Sequence, residues 1–297
     1  MLREMEKLTA QDQARLEVEA FENSLEVLLS VHKEASPRFD WIGSLSALSP
    51  HSWVNSDATA NEQDRVEIER MRALAQRVLA GDAAAYGEAL RELSAFGELA
   101  NLGSSIAFRV HHPKLIECEL KVNGRDAIPT EMKSLTTAGK VSVKAMPKAR
   151  FHELYQDHVC SCVLRAAREV FALLPVDAVI VTAMVSTVET STGNDAETPI
   201  LSVVVGREAI DLLDFSRLDP SDAMENFTHR GDVIASRKSG EFTRIVPLKP
   251  EDITVDATAH LGLPDLLHRV RGLRALISAE LRTPAPNPSA EAKPLSS

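Results

Sequence analysis

Five side chains that could bind a metal or transfer a proton lie close together at the start of a long helical pattern. They are His152, Glu153, Asp157, His158 and Cys162. His158 and Cys162 are four residues apart, so a helix would place both on one face, where they could bind one metal ion. A third ligand is not evident, and the His-x-x-x-His spacing is absent. Acidic residues at a helix start more often interact with the helix dipole, and we favour that structural role.

A second set of charged residues lies on predicted strands further upstream. Glu117 and Glu119 have the same parity in the strand pattern 115–122, so both side chains should face one side of a sheet. Glu131-Met132-Lys133 falls in the next predicted strand, 128–135. From residue 82 onward the predicted order is helix, three strands, helix, strand, which resembles the core of the PD-(D/E)xK nuclease superfamily.

That resemblance implies a catalytic site. In the superfamily, an acidic residue on the second strand and a Glu-x-Lys on the third converge on Mg²⁺, which activates water against a phosphodiester. The matching residues here are Glu119, Glu131 and Lys133. The chain departs from the pattern in having Glu for the expected Asp, Pro129 just before the motif, and Glu119-Leu120-Lys121 as a competing match. We therefore treat a Mg²⁺-dependent nuclease as an alternative hypothesis.

Three blocks of sequence carry another resemblance. The segments 153–160, 171–175 and 219–222 are similar to blocks in bacterial proteins of unknown function that also begin with a helical region. The similarity covers residues 100–246. It implies a shared fold and carries no activity or site.

The element that must position these residues is a helix that leads into a buried strand. Apolar residues recur every three or four positions from Phe151 to Leu173, and Pro147 and Pro175 limit the helix to about 26 residues. The run 178–184 is β-branched and almost unbroken, which is typical of a strand covered on both faces. The other side of the helix is polar and should face water or a partner. Its candidates for partner contact are Arg165, Arg168 and Glu169.

The remaining periodicities predict helices and strands on both sides of this unit. Helices are expected at 9–34, 61–79 and 82–96, the last two forming an antiparallel hairpin, and at 263–281. Strands are expected at 105–110, 141–145, 199–205 and 240–246, in addition to those above. Asn123-Gly124 predicts a type I′ hairpin turn. Trp41 and Trp53 are interpreted as packing anchors of a loop.

Composition limits the cellular setting. No apolar run reaches the roughly 18 to 20 residues needed to cross a bilayer, so no membrane association is expected. Cys118, Cys160 and Cys162 are too few for a disulfide framework, and reduced thiols indicate a cytoplasmic protein. The net charge is −10, but the segment 109–150 is basic and could bind nucleic acid. We favour the simpler reading, in which these cations occupy solvent-facing sides of strands.

The sequence therefore predicts an α+β fold, a mixed sheet packed on one long central helix. We expect a helical region at 1–102, an α/β domain at 103–250, a C-terminal helix at 251–282 and a disordered tail at 283–297. The favoured function is a cytoplasmic interaction or assembly module without a cofactor, whose charged helical region, in part coiled-coil, binds another protein or its own copy. The alternatives are the nuclease, with Mg²⁺, and a nucleic-acid-binding protein that does not cleave.

Overall fold

The secondary structure is that of an α+β protein, as the sequence predicts. The computed structural model describes residues 9–46, 62–97, 105–189, 191–233 and 242–253. The helices are α1 (Ala10–Ser30), α2 (Trp41–Ser46), α3 (Glu62–Leu79), α4 (Ala83–Leu93), α5 (Lys148–Leu173) and α6 (Arg207–Asp211). The strands are β1 (Ser105–His112), β2 (Leu115–Lys121), β3 (Glu131–Leu135), β4 (Val141–Ala145), β5 (Ala178–Val188), β6 (Asp195–Gly206) and β7 (Thr228–Arg230).

The main sheet has five strands in the order β1-β2-β5-β6-β7. β2 and β5 are parallel, whereas the other neighbours are antiparallel. A parallel pair needs a long crossover, and the connection between β2 and β5 contains α5. The predicted helix and the strand that follows it are confirmed, and the sheet is mixed.

The central strand β5 is covered on both faces. Val179 and Val181 belong to the core that includes the inner residues of α5. Ile180, on the other face, packs with Val204 and Leu248. This burial explains why the strand reads as a continuous β-branched run instead of an alternating pattern.

The carboxyl end of α5 is closed by polar contacts from other elements. The Arg207 guanidinium donates to the carbonyls of Phe171 (3.1 Å), Leu174 (2.5 Å) and Val176 (2.8 Å). The Trp41 indole N–H donates to the Leu173 carbonyl, which confirms Trp41 as a packing anchor. A cation at this position stabilises a helix because it satisfies terminal carbonyls and complements the negative end of the dipole.

The helices α1, α3 and α4 lie close to their predicted bounds, whereas α2 falls in a stretch predicted as a loop. Thr9 caps α1 and forms a capping box with Asp12, and Asp82 caps α4. A salt bridge of 2.6 Å joins Arg70 of α3 to Glu92 of α4, and one of 2.9 Å joins Arg77 to Glu88. Residues later in α3 thus pair with residues earlier in α4, so the antiparallel hairpin is confirmed.

The hairpin expected at Asn123-Gly124 is wrong. A type I′ turn needs positive φ, but Gly124 has a φ of −69° and leads into a 3₁₀ turn, Arg125–Ala127. β2 pairs instead with β1 and β5, while β3 and β4 form a separate two-stranded sheet that contacts α1. The dipeptide permits a tight turn, but the buried parallel pairing with β5 determines which strand lies beside β2.

The last predicted strand, 240–246, is also wrong over its described part, because residues 242–249 have no strand structure. β7 takes the place beside β6. Trp53, the helix expected at 263–281 and the tail at 283–297 lie outside the described residues.

Gly231 is expected to be intolerant of a side chain. Its φ is +123°, and a Cβ there would lie 2.6 Å from the Ile200 carbonyl oxygen. Gly231→Ala should lower the free energy of unfolding by about 2 kcal/mol through strain and backbone contact, measured by urea denaturation. Gly124→Ala is the control, because its φ is negative and nothing lies within 4 Å of its added Cβ. An equal loss of unfolding free energy in both variants would contradict the special requirement for glycine at position 231.

Candidate functional site

The residues of the nuclease hypothesis lie in different sheets. Glu119 is exposed on β2, while Glu131 and Lys133 are on β3, which pairs with β4. The Lys133 ammonium donates to a Glu17 carboxylate oxygen on α1 at 2.7 Å. Within the described chain, no group of three or more His, Cys, Asp or Glu side chains is placed to hold a metal ion. The adjacent-strand arrangement that the resemblance implied is therefore absent from the sheets described.

Glu117 engages neighbours on β1. Its Oε2 lies 2.6 Å from His111 Nε2 and 3.8 Å from the Arg109 guanidinium. It shares a parity with Glu119, and both lie on the side of β2 opposite the buried Ile116, Cys118 and Leu120. The predicted common side is confirmed, and Glu117 serves there in cross-strand pairing.

The His158 and Cys162 pair is an interior contact. Cys162 Sγ lies 3.8 Å from His158 Nε2, and His158 Nδ1 lies 3.1 Å from the Leu28 carbonyl. Burial raises the pKa of the Cys162 thiol to about 12 and lowers the pKa of His158. A cysteine binds a metal ion as the thiolate. The raised pKa of Cys162 therefore favours a packing role over metal binding.

The later part of the polar side of α5 does not face water, contrary to the expectation, although Glu153 near the helix start is exposed. Ser161, Arg165 and Glu169 are all less than 5% exposed. Glu169 Oε1 lies 3.0 Å from the Arg165 guanidinium and accepts the backbone N–H of Ser36 at 2.9 Å. The chain's own N-terminal segment covers these residues, and Ser161 Oγ and Glu169 Oε1 accept hydrogen bonds from its backbone.

Arg168 also binds the backbone of the N-terminal segment, at residues 32–34. Its guanidinium donates to the carbonyls of His32, Lys33 and Glu34, the last two at 3.2 Å. Its Cζ lies 3.9 Å from the ring centroid of Phe215, a cation–π geometry. Of the three residues predicted to contact a partner, Arg165 and Glu169 are buried and Arg168 is bound to backbone, so their observed role is to hold residues 32–36.

A buried polar cluster that sequence reasoning missed lies next to this contact. The Ser161 hydroxyl accepts the His32 backbone N–H at 2.9 Å and lies 2.9 Å from His32 Nδ1. Burial raises the pKa of the nearby Asp157 carboxyl to about 6, and Asp219 adds to the shift. Ser161 is inaccessible to a substrate, because it is fully buried. The serine and histidine are 129 residues apart, so no local motif could have linked them.

Ion pairs reduce the positive charge of the basic segment. Five of its cations have carboxylate partners within 4 Å, namely Arg109, Lys114, Lys121, Lys133 and Arg150. Phosphate binding depends on uncompensated cations along one surface. Arg109, Lys121 and Lys133 lie on strands, as the simpler reading expects, whereas Lys114 lies in a turn and Arg150 on α5.

An exposed, partly apolar surface of the helical region lies on α1. Leu16, Ala20, Asn23 and Val27 follow one another at spacings of four, three and four, and all four are exposed. We call this set the α1 outer face. Leu16 and Val27 are 49% and 54% exposed. Ala14 and Val18, in contrast, are buried, so α1 is fixed by one side and open on another.

No family model, curated protein or solved structure matches this chain. In the part of the chain that the structure describes, no helix is both long enough and apolar enough to cross a membrane.

Removing the Glu169 carboxylate should strongly destabilise the protein. Glu169→Ala removes the carboxylate that lies 3.0 Å from the buried Arg165 guanidinium and leaves the exposed Glu34 carboxylate at 3.9 Å, and breaking such a buried pair costs about 3 kcal/mol or more. Replacing both, as in Arg165→Met with Glu169→Leu, should recover much of that loss. Thermal and urea unfolding test this, with the exposed Glu153→Ala as control; a Glu169→Ala protein as stable as wild type would contradict the role of the pair.

Asp157 should make stability depend on pH. Its folded pKa is about 6 against an ordinary value of 3.8, so the folded state takes up a proton between about pH 4 and 6. The contribution of this proton uptake to the free energy of unfolding is complete below pH 4 and is lost as the pH rises through 6. Asp157→Asn should therefore be more stable than wild type at pH 7.5, with the difference vanishing near pH 4. Urea titrations across this range measure it, and a difference independent of pH would count against it.

Proposed function

We propose that this chain is a protein-interaction module whose α1 outer face binds a basic amphipathic helix of another protein. The observation that carries the proposal is an exposed apolar seam with heptad spacing, bordered by carboxylates. A cytoplasmic setting, in which the three cysteines stay reduced, belongs to the same proposal.

The spacing of the α1 outer face is that of a coiled-coil seam. Positions separated by four, three and four residues alternate between the d and a sites of a heptad and remain on one side of a helix. Leu16 and Val27 supply the large apolar groups, and Ala20 permits close approach. A partner helix laid along this seam would bury both large side chains, which is the helix-in-groove mode of recognition.

Charge beside the seam identifies the kind of partner. The flanking e and g positions hold Asp12, Glu17, Glu19 and Glu26, of which Asp12 is paired with Arg15 and Glu17 with Lys133. From Thr9 to Ser30 there are five carboxylates and a single cation, Arg15. Flanking charges set partner choice in coiled coils, and like charges repel. Pairing of α1 with a second α1 would oppose carboxylates, so the seam suits a helix with Lys or Arg at its flanks.

The rest of the structure holds α1 in place for this role. The Glu17 carboxylate accepts from Lys133 on β3 at 2.7 Å, and the Leu28 carbonyl lies 3.1 Å from His158 on α5. The Arg168 contacts anchor the segment that follows α1. A helix that is fixed before binding loses less entropy when a partner docks.

Neither sequence alternative has comparable support. Cleavage would need Glu119 to meet Glu131 and Lys133. Glu119 lies in the five-stranded sheet, whereas Glu131 and Lys133 both lie in the two-stranded sheet. Nucleic-acid binding would need the basic segment to present unpaired charge, and five of its cations are in ion pairs.

Two synthetic helices of three heptads test the proposal. Both carry Ile at a and Leu at d, and they differ only in having Lys or Glu at e and g. We expect the full-length protein to bind the Lys peptide and not the Glu peptide in fluorescence anisotropy. Leu16→Glu combined with Val27→Glu should weaken binding at least about tenfold by removing the apolar seam. Val66→Glu, at a 60% exposed position of α3, is the matched control and should have no effect.

The results that would overturn the proposal are defined by the same peptides. Equal binding of both peptides would show that the carboxylates do not select the partner, and binding of neither would remove the seam as a docking site. Light scattering of the full-length protein adds a further criterion. A dimer that the double variant dissociates would mean that the α1 outer face binds its own copy.

A further inference from the structure

An open cleft of about 620 Å³ lies beside the amino end of α5. None of the residues that line it belongs to the α1 outer face. Its volume is within the range of small-molecule sites, about 300 to 1,000 Å³. Charged, polar and apolar groups line it together: Arg125, Asp126, Ile128, Pro129, Thr130, Met146, Lys148, Phe151 and His152.

The amino end of α5, the positive end of its helix dipole, lies beside this cleft. The helix has 26 residues, no acidic residue in its first turn, and Pro147 as an N-cap that makes no side-chain hydrogen bond. Its other end is satisfied by Arg207. The first N–H groups of a helix and its dipole favour an anion, and the N-cap residue Pro147 supplies no side-chain acceptor.

His152 provides an independent indication of a ligand. It is only 9% exposed, and its Nδ1 is buried without a hydrogen-bond partner in the described residues. Such a group costs about 1–3 kcal/mol if it stays unsatisfied. Because His152 lines the cleft, a polar group bound there could satisfy the imidazole.

The walls combine cations with apolar surface. The Arg125 Cζ lies 5.4 Å from the ring centroid of Phe151, so the guanidinium is held above an aromatic face. Lys148 is exposed at the first position of α5, with no ion pair to any described residue. Ile128 and Met146 are buried apolar residues on the same wall. A ligand that fits must have an anionic group and an apolar body.

We propose that this cleft binds a small phosphomonoester with a flat apolar body. The phosphate lies at the first turn of α5 between Lys148 and Arg125, whose forked guanidinium suits phosphate oxygens. The body packs on Phe151, Ile128 and Met146, and His152 bonds to a polar atom of the ligand. Asp126 accepts a hydrogen bond from a hydroxyl or amino group of the body.

Four small compounds separate the parts of this recognition. Phenyl phosphate, inorganic phosphate, phenol and benzoate are titrated into the full-length protein by isothermal calorimetry at low salt. We expect phenyl phosphate to bind at least about tenfold more tightly than each of the others, because it alone offers both a dianion and a ring. Benzoate binding as tightly as phenyl phosphate would overturn the assignment to phosphate, and no saturable binding of phenyl phosphate would overturn the site.

Substitutions then locate the binding. Lys148→Glu should weaken phenyl phosphate at least about tenfold by reversing charge at the helix start, and Thr130→Trp should abolish binding by filling the cleft without a change of charge. Lys144→Glu is the matched control, since Lys144 is an equally exposed lysine on β4 outside the cleft lining. Far-UV circular dichroism verifies that each variant is folded. Equal weakening by Lys148→Glu and Lys144→Glu, or none by Lys148→Glu, would contradict the proposal.

Discussion

The polar side of α5 is the constraint on which the rest of the structure depends. A helix buried against a sheet on one side can expose its other side cheaply, but here Ser161, Arg165 and Glu169 are buried as well. Buried polar groups need partners, and the segment around residues 32–36 provides backbone N–H groups to Ser161 Oγ and Glu169 Oε1 and backbone carbonyls to Arg168. The N-terminal segment is thus tied to the helix by directional bonds, and this attachment fixes the direction in which α1 leaves the core.

The two ends of α5 differ in whether side chains of the protein bind their backbone groups. Arg207 and Trp41 satisfy the carboxyl end from within the chain, whereas the amino end begins at Pro147 without a side-chain cap. The amino end of a helix leaves N–H donors unsatisfied and the carboxyl end leaves carbonyl acceptors unsatisfied, and here the chain supplies side-chain partners at the carboxyl end. Since the open end lies next to a cleft with an apolar wall, the asymmetry gives the protein one structural terminus and one that is available to a small anion.

Local periodicity was enough to predict α5, β5 and the α3–α4 hairpin, because their apolar spacing is produced by burial of those same residues. It failed where a competing long-range pairing decided the outcome. Asn123-Gly124 could form a tight turn, but the parallel pairing of β2 with β5 left β3 in a second sheet. The charge of Arg165 and Glu169 also led to a wrong prediction. Both were expected to face solvent, but they are buried and paired with each other. The parity of Glu117 and Glu119 was predictable, while the His32–Ser161 contact and the cleft are assembled from distant segments that no spacing rule connects.

The separation between His32 and Ser161 has a consequence for synthesis of the chain on the ribosome. The amino-terminal segment emerges first, yet its hydrogen-bonding partners on α5 follow only 129 residues later. Domains form during translation as their contacts become available, and contacts between remote positions form slowly. The acidic helix α1 must therefore remain undocked while more than a hundred further residues are made, and its five carboxylates keep the nascent segment hydrated throughout that interval.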